Sequence, residues 1–429
     1  MNWVETRLKH LCVDSGQYGL NVSAEMYSDS GTRLIRTSDI TAGGALKDPA
    51  TGVHVRTIVE TRHQLHPGDL LLSRSGTLGR AFLVPDQADG HTFAGFLIRF
   101  RPKKGVDPRF LAYAAQSASF QGIVHSEAVT STIQNFNADR YANIAMRAPA
   151  LEEQRRIADF LDDETARIDR LRELHEHQRM LIKEAAFRRV FDAVRGTHVE
   201  GARKNSGLDW LGTVPADWRV GAVSHYFEVE LGKMLNQERV QGDHLRPYLR
   251  VANVQWDRID VDNLAMMDFP PEEQIRYRLQ AGDLLVNEGG SWPGRAAVWS
   301  GEISDIYYQK ALHRIRSRGE ELPRWLYYCL VAAERLRVFQ VQGNTSTMTH
   351  LTREQLRPQR FPFPELSTQR ELVAQLDNGA DREARFQRLL DRQLGLLAER
   401  RQALITAAVT GQFDVSTASG RNVTDGVPT

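Results

Sequence analysis

Pro149-Ala150-Leu151-Glu152-Glu153-Gln154-Arg155-Arg156-Ile157-Ala158-Asp159-Phe160-Leu161-Asp162 opens a long stretch, ending at Gly196, that is rich in Leu, Arg, Glu and Gln. It is almost free of Gly and Pro, and only a long helix fits it. The string has a second copy 215 residues later: Pro364-Glu365-Leu366-Ser367-Thr368-Gln369-Arg370-Glu371-Leu372-Val373-Ala374-Gln375-Leu376-Asp377, in a stretch ending at Gly411. Pro before and Gly after each copy are the expected helix punctuation. Phe386, Leu390, Gln393, Leu397, Arg400 and Leu404 step by four and three, as do Leu171, His175, Gln178, Ile182, Ala185 and Arg189. That spacing predicts a coiled-coil seam with Gln178 and Gln393 as buried polar residues setting register. One such helix cannot bury its stripe alone, and two copies supply the partner. If an internal two-fold relates them, they pack antiparallel, each about 60 Å long, with one globular domain near each end.

The same shift aligns the rest of the chain. Trp3 falls on Trp218, Gly79-Arg80 on Gly294-Arg295, and Arg99 and Arg101 on Arg314 and Arg316. Pro108-Arg109-Phe110-Leu111-Ala112-Tyr113 falls on Pro323-Arg324-Trp325-Leu326-Tyr327-Tyr328, and Thr130-Ser131-Thr132 on Thr345-Ser346-Thr347. With a one-residue adjustment, Pro67-Gly68-Asp69-Leu70-Leu71 meets Ala281-Gly282-Asp283-Leu284-Leu285. Solenoid repeats are about 20–50 residues long, so this is a whole module occurring twice. Short β-type runs such as Asp69–Leu72, Phe96–Phe100, Asp283–Val286 and Leu312–Ile315, bounded by turn residues, make each first part an α+β domain. The division read from the sequence is 1–150, helix 151–196, an exposed linker with the start of the second repeat at 197–217, 218–365, helix 366–412, and a disordered tail 413–429.

Across 429 residues, Lys and Arg number 55 against 54 Asp and Glu, with 41% hydrophobic and 25% charged residues. This is an ordinary soluble composition. No apolar run approaches the roughly 18 residues of a membrane span, and Met1–Glu5 does not open a signal peptide. Two cysteines, Cys12 and Cys329, cannot build a disulfide framework or a cysteine zinc site, so a reducing, cytoplasmic setting is expected. There is no Gly-x-x-x-x-Gly-Lys-Ser/Thr phosphate loop; Gly289–Arg295 is Gly-rich but lacks the Lys and reads as a turn. Asp268-Phe269-Pro270-Pro271 has the wrong order for an amino-methyltransferase motif. His175 and His177, two apart on a helix, point to different faces and do not suggest a metal site.

Binding is therefore favoured over catalysis. Two related, divergent domains on a spacer suit a ligand with its own near two-fold repeat, and duplex DNA presents equivalent groove faces about every 34 Å. Neither globular part has more than a small basic excess, so non-specific phosphate affinity is expected to be modest. Candidate DNA contacts in the first domain are Arg33, Arg36, Thr37, Ser38, Arg74, Ser75 and Arg80. Their rough counterparts in the second are Arg250, Asn253, Gln255, Asn287, Ser291, Trp292 and Arg295. Arg suits guanine and Asn or Gln suits adenine, although each residue can equally be an ordinary exposed polar side chain. Residues shared by both domains, such as Gly79-Arg80 and Gly294-Arg295, cannot distinguish two half-sites and suit phosphate or structural roles. Arg99, Arg101, Arg314 and Arg316 read as one polar sheet face, with phosphate contact as the alternative. The Thr-Ser-Thr pairs read as turns, caps or phosphate contacts.

The helix-opening strings resemble the conserved regions of type I restriction–modification specificity subunits. Asp209-Trp210-Leu211-Gly212-Thr213-Val214-Pro215-Ala216-Asp217-Trp218, Tyr248-Leu249-Arg250-Val251-Ala252-Asn253-Val254-Gln255 and Ala407-Ala408-Val409-Thr410-Gly411-Gln412 resemble other parts of that family, in the family's order. Thr368 stands where the first copy has Glu153. The resemblance implies an α+β fold of two homologous target-recognition domains joined by two long helices in an antiparallel coiled coil, with an internal pseudo-two-fold. It implies a non-catalytic subunit that reads a bipartite, asymmetric site on double-stranded DNA. Two modification subunits would dock on it, flip an adenine from each half-site and methylate N6. Restriction subunits would translocate and cut. S-adenosylmethionine, ATP and Mg would then belong to partners, with no cofactor in this chain and no membrane. Two other readings stay open on the residues alone. A self-contained DNA methyltransferase or nuclease would bind S-adenosylmethionine when purified by itself. A coiled-coil scaffold would show no sequence-selective DNA binding, and it gives no reason for two divergent heads.

Overall fold

The computed structural model describes residues 3–41, 43–47, 52–129, 135–234, 241–289, 293–341 and 350–415. The chain divides into two compact units: residues up to 176 together with those from 390 onward, and residues 177–389. Four helices organise them: α1 (Pro108–Gln116), α2 (Leu151–Arg195), α3 (Pro323–Arg335) and α4 (Leu366–Thr410).

In the first unit an antiparallel four-stranded sheet has the order Gln17–Tyr18, Leu97–Phe100, Leu70–Ser73, Ala81–Leu83. The run Leu70-Leu71-Leu72 is buried on both faces, as a strand covered on both sides requires. Leu70 and Leu72 join Ile98, Phe100, Leu111 and Tyr141 in one core, while Leu71 joins Ile35, Phe82 and Phe93 in another. A second sheet orders Tyr27–Ser28, His54–Val55, Thr32–Ile35 and Thr92–Phe93, the last pair parallel. Val4–Arg7 pairs with Ala145–Ala148, tying the start of the domain to the strand that feeds α2.

The second unit repeats this plan. Its four-stranded sheet runs Phe227–Leu231, Leu312–Ser317, Leu284–Asn287, Ala296–Val298. Tyr307–Tyr308 lies parallel to Leu245–Leu249, and Arg219–Ala222 pairs with Arg360–Phe363. Gly19 and Gly232 close the same approach in both units. A Cβ on either would collide with backbone carbonyls, those of Phe93 and Ala94 or of Tyr308 and Gln309.

The repeated strings now have a physical reading. Gln154 Oε1 accepts from Asp107 N at 2.9 Å, and its Nε2 donates to Pro149 O at 2.8 Å. Gln369 does the same with Leu322 N at 3.0 Å and Pro364 O at 2.9 Å. About two turns further along, Asp162 accepts from Arg109 at 2.8 Å and Tyr113 at 2.7 Å. Asp377 accepts from Arg324 Nε at 2.8 Å and from the Tyr328 hydroxyl. Each long helix is thereby clasped to the short helix of its own domain.

Each long helix ends on a left-handed glycine, Gly196 at φ 64° and Gly411 at φ 75°. A Cβ there would lie 2.9 Å from Trp218 in one case and 2.7 Å from Trp3 in the other, so close approach reinforces the demand for Gly. Arg203 closes the end of α2 by donating to Gly196 O at 2.8 Å and Arg195 O at 2.9 Å. Within the stretch read as an exposed linker and the start of the second repeat, Arg203–Asn205 stays exposed but pairs in an antiparallel ladder with Thr213–Pro215. Its apolar residues explain the difference: Leu211 and Val214 are buried with Ala193, Val194 and Trp218. At the expected tail, Phe413 packs on Phe160 with centroids 5.6 Å apart, and residues 416–429 lie outside the described residues.

Within each unit the helix segments run antiparallel. In the first, Ile168 packs with Leu404, and Arg401 pairs with Asp169 at 3.5 Å. In the second, Gly379 gives room to Arg189, whose Nη1 would sit 2.7 Å from a Cβ there. The seam phase differs from expectation. Leu390 and Leu404 are buried and Ile182 and Leu397 half-buried, but Leu171, Gln178, Phe386 and Gln393 are exposed. The inward positions are the next residues, Arg172, Arg179, Gln387 and Leu394. Three of these are long polar side chains, each half-buried. The register role expected for Gln178 and Gln393 therefore fails.

Gln154→Leu is expected to orphan the buried Asp107 N–H and Pro149 carbonyl, at about 1–3 kcal/mol for each group left unpaired. A lowered urea midpoint measures the loss, and an unchanged midpoint would contradict the clasp.

Candidate nucleic-acid interface

The expected reading residues divide by what their polar atoms are already doing. Arg33 is only 8% exposed, and its Nη1 donates to Leu34 O and Val53 O, both at 3.0 Å. Its donors are spent on the backbone inside the fold. Arg36 grips Asp39 with two hydrogen bonds, Nε to Oδ2 at 3.2 Å and Nη2 to Oδ1 at 2.8 Å. In the second domain Arg250 N donates to Asn253 Oδ1 at 2.9 Å, as Arg36 N does to Asp39 Oδ2. These are the same turn with Asn in place of Asp. Asn253 is buried and spends its amide on Asp260 O at 2.8 Å, while Arg250 donates to Asn263 O at 3.0 Å.

Arg80 donates to Ile40 O at 2.6 Å, and its counterpart Arg295 donates to Gln255 Oε1. The pair shared by both domains thus braces the turn beside it. Asn287 is buried, with Nδ2 directed at Val254 O at 3.4 Å. Thr37 is half-buried; Ser38 is exposed and Ser75 half-buried. Ser291, Trp292 and both Thr-Ser-Thr strings lie outside the described residues.

The alternating arginines are not an outward-facing polar surface. Arg99 and Arg314 are 4% and 3% exposed, donating to Arg62 O at 2.9 Å and Arg276 O at 2.7 Å. Arg101 and Arg316 form two-pronged pairs with the buried carboxylates of Asp69 and Asp283. Sequence alternation located all four on strands but could not show that a buried acid waits beneath Arg101 and Arg316.

What stays open lies at the ends of two equivalent strands. Arg74 N donates to Phe96 O at 2.9 Å, and Phe136 N donates to Arg74 O at 2.9 Å. Glu288 N donates to Ala311 O at 3.0 Å, and Leu351 N to Glu288 O at 2.7 Å. The backbone frames match, and the side chains carry opposite charge. The Arg74 guanidinium lies 4.8 Å from the Tyr18 ring centroid, and its Nε donates to Asn135 Oδ1 at 3.2 Å. Phe96 beside it is 63% exposed. Partial burial pushes the Glu288 carboxyl above its ordinary range, against the pull of His350 and Lys310. Glu288 was missed by the sequence reading, which set Arg74 among several rough counterparts. The backbone bonds, not residue type, fix the alignment.

Nucleophile chemistry finds no support among the cysteines. Burial pushes the Cys12 thiol up to about 12 and Cys329 well above its normal value, leaving neither as thiolate near neutrality. Among the described residues, no group of three or more His, Cys, Asp and Glu is placed to hold a metal, and no helix is long and apolar enough to cross a membrane.

Burial alone would raise the Asp39 carboxyl, but the hydrogen bonds of Arg36, with Arg33 alongside, hold it below its ordinary value of 3.8. A carboxylate depressed in the folded state adds stability above that value and loses it as pH falls through the folded one. Asp39→Asn, copying Asn253, is expected to keep the turn and flatten the loss of stability below about pH 4. Urea midpoints from pH 3 to 7 check this, and an unaltered acid limb would contradict it.

Residues 3–179 match the family model described as type I restriction modification DNA specificity domain. The chain is 21% identical over 332 residues to the type I restriction enzyme EcoKI specificity subunit of Escherichia coli (strain K12), covering 75% of this chain and 70% of that one. It is 21% identical over 338 residues to the StySPI specificity subunit of Salmonella potsdam, with the same coverage. Among solved structures, a chain from work on complex assembly and conformational transition of the type I R-M system aligns with TM-score 0.73 at 18% identity, over 96% of this chain and 98% of that one. The HsdS subunit from Thermoanaerobacter tengcongensis aligns with TM-score 0.54 at 18% identity, over 96% and 97%. Two globular α+β domains joined by two long antiparallel helices are thus a fold shared with those chains.

Proposed function

We propose that this chain, whose first module matches the type I restriction–modification specificity model, is a member of that family and the DNA-reading subunit of such a complex. It reads a bipartite, asymmetric site on double-stranded DNA and docks two adenine-N6 methyltransferase subunits, with ATP-dependent restriction subunits joining them. The observation that carries this reading is one domain built twice on the same clasp, with matching frames and differing exposed heads. Residues 1–150 and 218–365 are the two reading domains, 151–196 and 366–412 the shared helices, and 197–217 the connection. Catalysis, with S-adenosylmethionine, ATP and Mg, belongs to the partners. The setting is cytoplasmic, where such partners meet DNA.

The helices supply a reason for two partners. Leu171 and Leu174 of α2 and Leu396 of α4 are exposed in the first unit; Phe386 and Leu389 of α4 and Leu181 of α2 are exposed in the second. These are equivalent positions in the repeat, each 46–58% exposed, outside the seam. Apolar positions kept exposed in both copies suit two copies of one partner. Leu174→Glu is expected to leave one bound methyltransferase subunit, and Leu174→Glu with Leu389→Glu none, with helicity retained. Native mass spectrometry of the co-expressed complex reads this, and full loading of the double variant would remove the docking assignment.

The function itself is tested by mapping methylated adenines in cells with and without this gene, its partners intact. One bipartite motif is expected to vanish with the gene, and exchanging residues 1–150 should alter one half of it. Survival of every motif while the methyltransferase is expressed would overturn the reading.

A further inference from the structure

Two homologous domains can read different half-sites only where matched backbone presents unmatched chemistry. Most polar residues near the candidate surface fail that test. The Arg101–Asp69 and Arg316–Asp283 pairs are the same in both units. Arg80 and Arg295 recur, and Arg33, Asn253 and Asn287 are buried. Arg74 and Glu288 pass it. Each follows the third strand of its four-stranded sheet, each is pinned by its own N–H and C=O to two neighbouring segments, and each is partly exposed.

Their surroundings differ to match. Asn135 holds the Arg74 Nε and Tyr18 underlies its guanidinium, so the fork is oriented. Among the described residues, its two terminal nitrogens have no hydrogen-bond acceptor. Glu288 likewise has no hydrogen-bond donor to its carboxylate among the described residues, while exposed Lys310 and His350 offset its charge. Gly289 lets the imidazole in: a Cβ there would lie 2.7 Å from His350 Nδ1. An oriented fork with two free donors matches the paired O6 and N7 acceptors of guanine in the major groove. An acceptor-only group matches an exocyclic amine, that of cytosine or adenine.

Resting on the DNA-reading function above, we propose that Arg74 and Glu288 occupy one shared specificity-determining position, at which the first domain reads a guanine and the second an exocyclic base amine. A buried structural role would not place opposite charges in one backbone frame with both residues partly exposed.

The test uses the chain co-expressed with its own methyltransferase subunits and compares methylated motifs for wild type, Arg74→Gln, Glu288→Gln and Glu288→Arg. A good bidentate contact discriminates by about 5–150-fold, so changes of that size at one base are expected. Arg74→Gln should alter one base in one half of the motif and Glu288→Arg one base in the other half. Glu288→Gln separates the two amines. It should shift preference to adenine if cytosine is read, and keep adenine if adenine is read. An unchanged motif for Glu288→Arg, or a uniform fall in methylation at all wild-type sites, overturns the proposal, as does a change in both halves. Co-purification with the methyltransferase establishes that each variant is folded. If wild type specifies no motif, the DNA-reading function fails and takes this position with it; if wild type specifies one and the variants leave it untouched, only this position fails.

Discussion

A single buried side-chain amide, used twice, holds the architecture. Gln154 joins the backbone ahead of α1 to the backbone ahead of α2, accepting from one and donating to the other. Gln369 does so for α3 and α4. Both amides lie out of water, where a hydrogen bond left unmade costs more than one made contributes. The geometry is therefore enforced by penalty more than by attraction. The acid about two helical turns further, Asp162 or Asp377, then fixes rotation about the helix axis by gripping Arg and Tyr of the short helix. With axial position and rotation both set, each domain is a rigid head on its helix.

Charge is handled by the same economy. The arginines on the sheets are turned inward or paired onto buried acids, so the fold consumes its cations internally. The chain's near-neutrality itself comes from matched numbers, 55 Lys and Arg against 54 Asp and Glu. A reading head built this way relies on a few oriented groups and on grip supplied by neighbours, since little net attraction to phosphate is left over.

The repeat, the helix limits and the α+β character were legible because each is written in residue type: Pro before, Gly after, a Gln and an Asp at fixed steps. The seam was legible in period but not in phase. Leu171 and Phe386 looked like seam residues because they are apolar, yet they are exposed and Arg172 and Gln387 are the half-buried residues beside them. A helix with two apolar stripes does not say which one its partner in the same chain covers. The binding residues were the least legible. Arg33, Asn253 and Asn287 have the right chemistry for bases, but burial commits them elsewhere, and a sequence carries no record of which carbonyl a guanidinium will find. The same holds for Leu211 and Val214, whose burial turned an expected linker into a ladder.

The seating of Trp3 against Gly411 has a consequence for how the protein is made. The cluster that unites the first domain with its helices contains Phe110, Ile157 and Leu161 from early in the chain, and Ile405, Ala408 and Val409 from near its end. The second unit is drawn from one uninterrupted stretch, 177–389. On the ribosome, the first domain must therefore wait with part of its apolar surface uncovered while everything between is synthesised. At about 5–20 residues per second, that interval is roughly ten to fifty seconds. The half of the molecule translated first is the half completed last.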